Sequence, residues 1–544
     1  MTDFTALERV LGRARTRVVW GVAPIVLMLG CNDGTGASEV ESGSGNEGVG
    51  SAVQAVTPDP VSVCNQDPRV NMGMVPLAVC AGARVFFDET FGGNGRTCGS
   101  CHPAANNYTI DPTFVAGLPS SDPLFVFENP AFNLGSLETA DLRGAFTLIK
   151  ENVDGFEDVA HKFVSRSVSH TLSLATSTAR DPADGTSSAF SERTGWGGDG
   201  APGDGSMRSF LDGAINQHYP KDPSRTVGTS FRVASAAEKE QVLAFQLALG
   251  RLNELNLNQV TLSDANAAGG LRSFLDPLVG RCNECHGNAG ANALASGKNR
   301  NFNTGVTSAP TAFSTLPDGK ALFDGGFGGQ GLAQPNLATV TGAPDAFGDG
   351  TFSPPPLIEA ADTAPFFHTH GFGANNDPTA GIEGAISFYA TPLFLNSPAA
   401  RELDARFGGR PVQVGPVIGA VGSFLRVLNA SFNLAIAKQR LDASRTLNIA
   451  YWSYRDDIQK GLIRLASEEV DDAIRVLANA QFPLHTAQQA TLQNARTLLA
   501  QAVAATDPAI RRARTESANT IVQQAKAAFG TNLNFTLGSG NLMF

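Results

Sequence analysis

Two five-residue stretches of the chain share the spacing Cys-x-x-Cys-His, at residues 98–102 (CGSCH) and 282–286 (CNECH). Two thiols at this spacing lie on one turn of chain and can add to the two vinyl groups of a single porphyrin. The histidine that follows can give an imidazole nitrogen to the iron. The pattern therefore predicts two covalently attached c-type haems, at a first haem motif (98–102) and a second haem motif (282–286).

A Cys-x-x-Cys pair is also typical of a redox dithiol or of half a zinc site. Zinc ribbons place their two pairs about 15–20 residues apart, whereas about a third of the chain separates the two pairs here. Both copies carry the trailing histidine, and the chain has only 7 cysteines. The sequence therefore favours two haems over either alternative.

The composition fits a loop-rich protein that surrounds a large cofactor. Charged residues make up 17% of the chain and glycine is abundant, with 58 residues, whereas an average protein has about 25% charged residues. The formal net charge of −11 argues against nucleic acid as a partner, because nucleic-acid binding needs a basic surface.

Residues 1–31 resemble an export signal. An arginine-containing segment precedes an apolar run at residues 18–29 that is too short for a stable membrane span. The run ends at Gly30-Cys31, as in bacterial lipoproteins, with a plain secretory peptide as the alternative. We expect an exported protein, in the periplasm or at the cell surface, held to a membrane through lipidated Cys31, and no later segment that spans a membrane.

Two cysteines, Cys64 and Cys80, remain after lipid and haem attachment. In an exported protein we expect them to form a disulfide, with two unpaired thiols as the alternative. The preceding stretch is rich in Gly, Ser and Glu, which predicts a flexible linker between the anchor and the folded body.

Helices are the elements expected to position the haem motifs. Helical periodicity predicts a helix at 238–255, and Asp507-Pro508 and a Thr486/Gln489 capping box predict helix starts in the tail. A further amphipathic helix is predicted from Pro416 onwards, on the spacing of Val417, Val421, Phe424, Leu425, Leu428 and Phe432.

The predicted fold is mostly α, with two cytochrome c-like haem domains, long loops and a C-terminal helical hairpin or bundle. The expected segments are a signal peptide at 1–31, a linker at 32–60, an N-terminal haem domain at 61–259, a C-terminal haem domain at 260–430 and a helical tail at 431–544. No internal repeat is visible in the sequence beyond the two haem motifs.

Three motifs around the predicted haems resemble those of a known family. Residues 86–102, which run from Phe-Phe-Asp into the first haem motif, resemble the opening of bacterial di-haem cytochrome c peroxidases and their MauG-type relatives. Residues 302–306 (FNTGV) resemble the family's Phe-His-Asn-x-Gly-Val segment, and residues 363–368 (TAPFFH) its Thr-Ala-Pro-Tyr-Phe-His signature. The resemblance covers roughly 80–430 and leaves the tail outside it.

The resemblance implies that the N-terminal haem meets H2O2 or O2 and that a six-coordinate C-terminal haem stores or delivers an electron. Trp196 is similar to the tryptophan that lies between the two haems in this family, with a core aromatic residue as the alternative. Calcium between the haems would take the backbone carbonyls of Thr363 and Pro365, although the family's asparagine ligand has no clear counterpart.

The sixth ligand of the second haem is a methionine in the peroxidases, but this chain has none between Met207 and Met543. The MauG-type relatives use a tyrosine, and Tyr389 falls at the position that resembles it. A tyrosinate oxygen favours ferric and higher states of iron. His368 and His370 are the alternative ligands.

The first haem is expected to keep a vacant coordination site, because the family's activated peroxidases carry a distal histidine where residues 103–160 have none. His161, His170 and His218 are expected to be ordinary polar side chains, unless folding brings one to the iron. The family's distal Gln and Glu are not matched. Phe210 occupies that region instead, as in the di-haem rubber oxygenases, and His218 or Asp212 would be the acid–base group.

The expected function is that of an exported di-haem c-type oxidoreductase of the peroxidase type. It would react with H2O2 or O2 at the first haem and pass electrons through Trp196 to the second. Its partner would be an electron donor or substrate, either a protein or a small molecule. Two alternatives stay open: a passive electron-transfer cytochrome c with two six-coordinate irons, and a rubber-oxygenase-like dioxygenase that acts on an apolar polymer.

Overall fold

The chain is described here from a computed structural model that covers residues 59–544, except for 136–137, 139, 145, 152–163, 185, 187–190, 201–203, 307–323, 328–347, 372–380, 452–454 and 480. The predicted signal peptide, Cys31, most of the linker and His161 therefore lie outside the described residues.

Helices dominate the described residues and strands are few, which confirms the expectation of a mostly α protein. The helices are α1 (Pro60–Cys64), α2 (Pro68–Asn71), α3 (Leu77–Asp88), α4 (Cys98–Cys101), α5 (Pro112–Gly117), α6 (Leu174–Ser177), α7 (Met207–His218), α8 (Ala236–Leu247), α9 (Ala265–Leu275), α10 (Cys282–Cys285), α11 (Ile382–Phe388), α12 (Pro392–Leu395), α13 (Pro398–Arg406), α14 (Ile418–Tyr451), α15 (Asp456–Leu477), α16 (Thr486–Ala504) and α17 (Pro508–Ala527).

The described strands are short and pair in three antiparallel two-stranded sheets. These are β1 (Leu148–Glu151) with β2 (Val164–Ser167), β3 (Thr261–Leu262) with β6 (Gly530–Thr531), and β4 (Asn292–Ala293) with β5 (Lys298–Asn299). Because β6 follows the last helix, its pairing with β3 ties the end of the chain to the segment just ahead of α9.

Helix α3, which precedes the first haem motif, crosses α8, which lies well after the motif in the sequence. A Cβ atom on Gly82 of α3 would come within 1.8 Å of the carbonyl oxygen of Gln241 on α8. One turn further along α3, the ring of Phe86 packs edge to face on that of Phe245, with centroids 5.3 Å apart. The missing side chain at Gly82 therefore allows the close approach of α3 and α8.

The same crossing of two helices recurs around the second haem motif. The expectation that the two motifs are the only repeated feature is therefore wrong. A Cβ atom on Gly270 of α9 would lie 1.8 Å from the carbonyl oxygen of Ala420 on α14. The rings of Phe274 and Phe424 pack 5.3 Å apart. Both α3 and α9 carry the pattern Gly-x-Arg-x-Phe, so each haem motif lies between such a helix and a later helix that presents a phenylalanine.

The predicted helix after Pro416 is confirmed as α14, which begins at Ile418 after the 3-10 turn Gly415–Val417. Its predicted apolar face is buried in the core, including Phe424 and Leu428. By length and composition this helix could cross a membrane, which the sequence analysis did not anticipate, but 78% of its most apolar window is buried inside the protein. Burial in the core therefore accounts for its apolar character.

The tail forms a bundle with α14. The contacts run in a ring, with α14 against α15, α15 against α16, α16 against α17, and α17 back against α14. The predicted start of α17 is confirmed, since the Asp507 carboxylate accepts from the backbone N–H of Ala509 at 2.7 Å. The predicted boundary between residues 430 and 431 falls inside α14, and the described residues from 59 onwards belong to one compact unit.

Two other local predictions have different outcomes. Cys64 and Cys80 form the expected disulfide. The capping box predicted at Thr486 is wrong, because the Gln489 side chain donates to the Leu477 and Leu484 carbonyls at 3.0 and 2.7 Å. The Gln489 amide group therefore bonds to carbonyls at and after the end of α15, and not to the backbone at the start of its own helix.

The helix predicted at residues 238–255 is shorter in the structure, where α8 ends at Leu247. The rest of the predicted segment leaves the helical path and bonds to the end of the chain. The backbone N–H of Leu252 donates to the Thr536 carbonyl at 2.7 Å. A partner nearly 300 residues away in sequence therefore replaces the helical hydrogen bonds.

Candidate functional site

The two Cys-x-x-Cys-His motifs fold into turns of nearly the same shape. In each, one helical turn (α4 or α10) holds the two cysteines, and the backbone N–H of the histidine donates to the backbone carbonyl of the first cysteine at 2.9 Å. The backbone φ and ψ are −122° and 60° at His102, and −118° and 62° at His286. Each thiol pair and its histidine thus lie on one turn, as covalent attachment to a porphyrin requires.

A backbone carbonyl orients each imidazole. His102 Nδ1 lies 2.7 Å from the Tyr108 carbonyl oxygen, and His286 Nδ1 lies 3.3 Å from that of Gly290. With Nδ1 engaged as a donor, Nε2 carries the lone pair that a metal can accept. Burial lowers the pKa of both imidazoles to about 4, so both are neutral at pH 7 and suited to coordinate iron.

The four motif cysteines lie in an environment that does not suit a redox dithiol. Burial raises the pKa of the Cys98 and Cys101 thiols to about 11 and that of Cys282 and Cys285 to about 12. Redox-active dithiols instead have lowered pKa values. The described residues also contain no group of three or more His, Cys, Asp or Glu side chains that could hold a metal ion. Two sulfurs and one imidazole per turn do fit a covalent haem.

A cavity with mostly apolar walls lies at the second haem motif. Both cysteines and the histidine of the motif line it, and α9, α11 and α14 supply apolar wall residues that include Phe274, Ile386 and Leu425. A porphyrin has two broad apolar faces, so a cavity bounded by the motif sulfurs and an imidazole suits it. This observation supports a haem at the second motif independently of the motif spacing.

All three side chains proposed as the sixth ligand line this cavity: Tyr389, His368 and His370. Burial raises the pKa of the Tyr389 phenol, and the nearby sulfurs of Cys285 and Cys282 raise it further. Because such an electrostatic effect falls off with distance, it indicates that Tyr389 is close to the motif cysteines.

The two histidines differ in how they are held on the cavity wall. The His368 ring stacks on Phe352 with centroids 4.1 Å apart, and its Nε2 lies 3.8 Å from a carboxylate oxygen of Asp324. His370 Nδ1 is hydrogen-bonded to the Phe146 carbonyl, an arrangement that leaves Nε2 free. His370 is therefore the stronger alternative to Tyr389.

Trp196 lines the same cavity and is fixed at both ends. Its indole Nε1 donates to the Ser167 carbonyl at 2.8 Å, and its own carbonyl accepts from the Ser353 N–H at 2.9 Å. The Ser167 N–H in turn donates to the His368 carbonyl at 2.6 Å. The sequence did not reveal Ser167, because its contribution comes through backbone atoms that carry no residue-specific signal.

The helix α7 connects the Trp196 loop with the first haem motif. A Cβ atom on Gly195 would lie 3.5 Å from a ring carbon of Phe210, so Phe210 is beside this loop. His218, eight residues later and on the same side of α7, has its pKa lowered to about 3 by burial and, to a lesser extent, by nearby charges that include His102. The structure thus brings His218 near the first motif, and Phe210 nearer to Trp196.

His170, which the sequence analysis treats as an ordinary polar side chain, lies close to both haem motifs. His170 lines the cavity at the second motif, and its charge also affects His102 of the first motif. Its Nδ1 is buried without a hydrogen-bond partner among the described residues. A lone histidine in a loop carries no sequence signal for such a place between two sites.

Tyr219, the residue after α7, contacts the first motif directly. Its hydroxyl lies 3.2 Å from Cys98 Sγ and can donate to it; in a haem-bound protein this atom would be a thioether sulfur. Thr363 and Pro365 line the cavity at the second motif, but calcium at their carbonyls stays a prediction.

Comparisons with known proteins found no relative: no protein-family model, curated protein or solved structure matches the chain. The resemblance to di-haem peroxidases therefore stays a prediction from the motifs.

Proposed function

We propose that the chain is an exported, lipid-anchored di-haem c-type oxidoreductase of the peroxidase and MauG type. H2O2 or O2 would react at the haem of the first motif, and electrons from a donor would reach that site via the haem of the second motif, with Trp196 between the two. The observation that carries the proposal is the repeated unit: a Gly-x-Arg-x-Phe helix, a Cys-x-x-Cys-His turn with a carbonyl-oriented neutral imidazole, and a crossing helix that presents a phenylalanine. Assignment of both units as cytochrome c-like domains is part of the proposal.

The residues of the two turns fit the binding role. The Sγ atoms of each cysteine pair would form two thioether bonds, and Nε2 of His102 and His286 would face the iron. When bound, each haem supplies reversible one-electron chemistry and an iron able to take a further ligand. The apolar residues around the second motif would exclude water from that porphyrin.

Tyr389 would give its phenol oxygen to the second iron. Burial raises the pKa of this phenol, so it holds its proton in the absence of a nearby cation. A coordinating metal reverses this preference, because its positive charge stabilises the tyrosinate. Tyr389 would then block this iron to exogenous molecules, which leaves the first iron as the reactive one.

His218 would handle protons at the first site. It is neutral at pH 7, and its Nδ1 is buried without a hydrogen-bond partner among the described residues. An imidazole in this state could accept one proton from incoming hydrogen peroxide and hold it on its ring. Phe210 would make the neighbouring wall apolar.

The test is to mix the ferric, fully matured protein with H2O2 and to record its absorption spectrum and the oxidation of added electron donors. We expect a spectral change at stoichiometric peroxide and turnover with at least one donor. The absence of both would remove the enzymatic proposal.

A passive electron carrier is the second candidate function, and one observation favours it. The His218 carbonyl accepts from the side chain of Asn94, just ahead of the first motif, at 2.9 Å, so a second imidazole lies near this motif and could ligate its iron. Electron paramagnetic resonance of the resting protein separates the candidates. One high-spin and one low-spin ferric signal support the enzyme, and two low-spin signals support the carrier.

A further inference from the structure

The loop that orients the His102 imidazole has an uncommon backbone conformation. Asn107 and Tyr108 are consecutive non-glycine residues with φ of 54° and 56°, in the left-handed region that side chains disfavour. The carbonyl of Tyr108 is the atom that lies 2.7 Å from His102 Nδ1. Because such a conformation persists only where its surroundings hold it, the position of this carbonyl depends on what holds the loop.

A helix of the tail holds Asn107 by its side chain. The Asn107 amide donates to one carboxylate oxygen of Asp472 at 3.0 Å, and the other oxygen accepts from Arg475 at 2.7 Å. Asp472 lies on α15 and is buried, and α15 packs against the 3-10 turn Ala104–Asn106 that precedes the loop. Burial raises the pKa of the Asp472 carboxyl, and its contacts with Arg475 and the Asn107 amide oppose that rise. Two donors on one buried carboxyl make the contact with Asn107 a restraint on the loop.

The side chain of Tyr108 faces the same part of the tail. It is fully buried, and the charges of Arg440 and Glu469 act on its hydroxyl. Arg440 of α14 donates to the Glu469 carboxylate at 2.6 Å and to the Asn541 carbonyl at 2.8 Å. Glu469 lies one turn before Asp472 on α15, so one face of this helix bonds to Asn107 and carries a charge that acts on Tyr108.

We propose that α15 is a positioning element for the first haem, in which Asp472 acts through Asn107 to fix the carbonyl that hydrogen-bonds to His102. The inference rests on the proposed haem at the first motif. A fixed acceptor for the Nδ1 proton makes the imidazole a stronger electron donor to iron and so stabilises the ferric state. Asp472 and Asn107 are positioning residues, and the tail, which lies outside the region of family resemblance, sets the redox balance of the first haem.

The experiment compares Asp472→Ala with Asp471→Ala in the full-length, haem-loaded protein. Asp471 is the matched control, because it lies next to Asp472 on α15 but pairs with Arg496 on α16. Spectroelectrochemistry gives the ferric–ferrous equilibrium of each haem. Resonance Raman spectroscopy gives the iron–imidazole stretching band of the reduced first haem.

We expect Asp472→Ala to shift the equilibrium of the first haem roughly fivefold towards ferrous iron, on the basis that one hydrogen bond contributes about 1 kcal/mol. The iron–imidazole band should move to lower frequency, and the second haem should be unchanged. Asp471→Ala should change neither haem. Asp472→Asn keeps an acceptor oxygen and should restore most of the wild-type behaviour.

Asn107→Gly provides a second variant should Asp472→Ala fail to fold. Glycine adopts a φ of 54° without strain and removes only the amide donor, so this variant should reproduce the shift. An unchanged first haem in a fully loaded Asn107→Gly protein, or equal shifts at both haems, would overturn the inference and leave the proposed function standing. A wild-type protein without haem at the first motif would instead overturn the proposed function itself.

Discussion

The two haem-motif regions share a scaffold and differ in what surrounds it. Each has a glycine-mediated helix crossing, with phenylalanine centroids 5.3 Å apart, and a Cys-x-x-Cys-His turn of the same backbone shape. At the first motif, α7 and the tail helix α15 approach the turn. At the second, the turn faces an apolar cavity that Tyr389 also lines. The comparison suggests that the shared scaffold serves attachment, whereas the added elements would decide what each proposed iron can do.

The two histidines illustrate this difference at the level of one hydrogen bond. His102 Nδ1 lies 2.7 Å from its carbonyl acceptor, whereas His286 Nδ1 lies 3.3 Å from that of Gly290. The shorter contact belongs to the loop that the tail holds. A Cβ atom on Gly290 would meet the Glu254 carboxylate at 2.3 Å, so the acceptor at the second motif is packed by a residue from just before α9.

Removal of each cysteine pair should have the largest effect. We expect Cys98→Ala/Cys101→Ala to eliminate the high-spin signal and Cys282→Ala/Cys285→Ala the low-spin one, each with loss of one covalent haem. The second variant should also lose more stability, because it leaves a large apolar cavity unfilled. Haem content, paramagnetic resonance and thermal unfolding provide the measurements, and loss of the same signal in both variants would contradict the division of roles.

Alanine at the two crossing glycines should have the next largest effect. A Cβ atom at Gly82 or Gly270 would meet a backbone oxygen at 1.8 Å, and overpacking of this kind costs about 1–3 kcal/mol or more of unfolding free energy. Gly269 is the matched control, since its nearest contact would be 3.7 Å away and alanine gains up to about 1 kcal/mol in helix propensity. Thermal unfolding should show two similar losses and no loss in the control; a Gly270→Ala variant as stable as Gly269→Ala would refute the repeated crossing.

Tyr389→Phe should act on the second haem alone. Loss of an anionic oxygen ligand should shift that haem towards the ferrous state by at least about tenfold, or ~1.4 kcal/mol, and alter its low-spin signal. His370→Gln is the comparison variant and should leave both unchanged. The reverse outcome in the same spectroelectrochemical titration would make His370 the ligand.

Tyr219→Phe should have the smallest effect. It removes a hydroxyl that lies 3.2 Å from Cys98 Sγ, and sulfur is a weak acceptor, so we expect a loss of roughly 0.5 kcal/mol of unfolding free energy with both haems retained. A change as large as that of Gly82→Ala in thermal unfolding would show that this contact is part of the scaffold.

The features that the sequence predicted are local ones. The one-turn fold of each Cys-x-x-Cys-His stretch, the apolar periodicity of α14 and the Asp507 cap each depend on residues within a few turns of one another. The Cys64–Cys80 pairing followed from counting cysteines in a chain expected to be exported. In these cases the local signal and the tertiary structure agree.

The features that the sequence did not reveal depend on distant partners. The Gly-x-Arg-x-Phe repeat has only three fixed positions, and its structural role depends on contacts with helices that come much later in the sequence. The contact between Asn107 and Asp472 joins residues 365 positions apart, and the acceptors for His102 and Trp196 are backbone carbonyls. Gln489 failed as a capping residue because carbonyls of a neighbouring segment were available to it.

The central claim is that both Cys-x-x-Cys-His turns hold a haem covalently. The most direct test is the intact mass of the denatured protein after expression with the cytochrome c maturation machinery. The account predicts the mass of the mature polypeptide plus two haems. A mass with one haem or none, in a sample whose cysteines are otherwise unmodified, would contradict it.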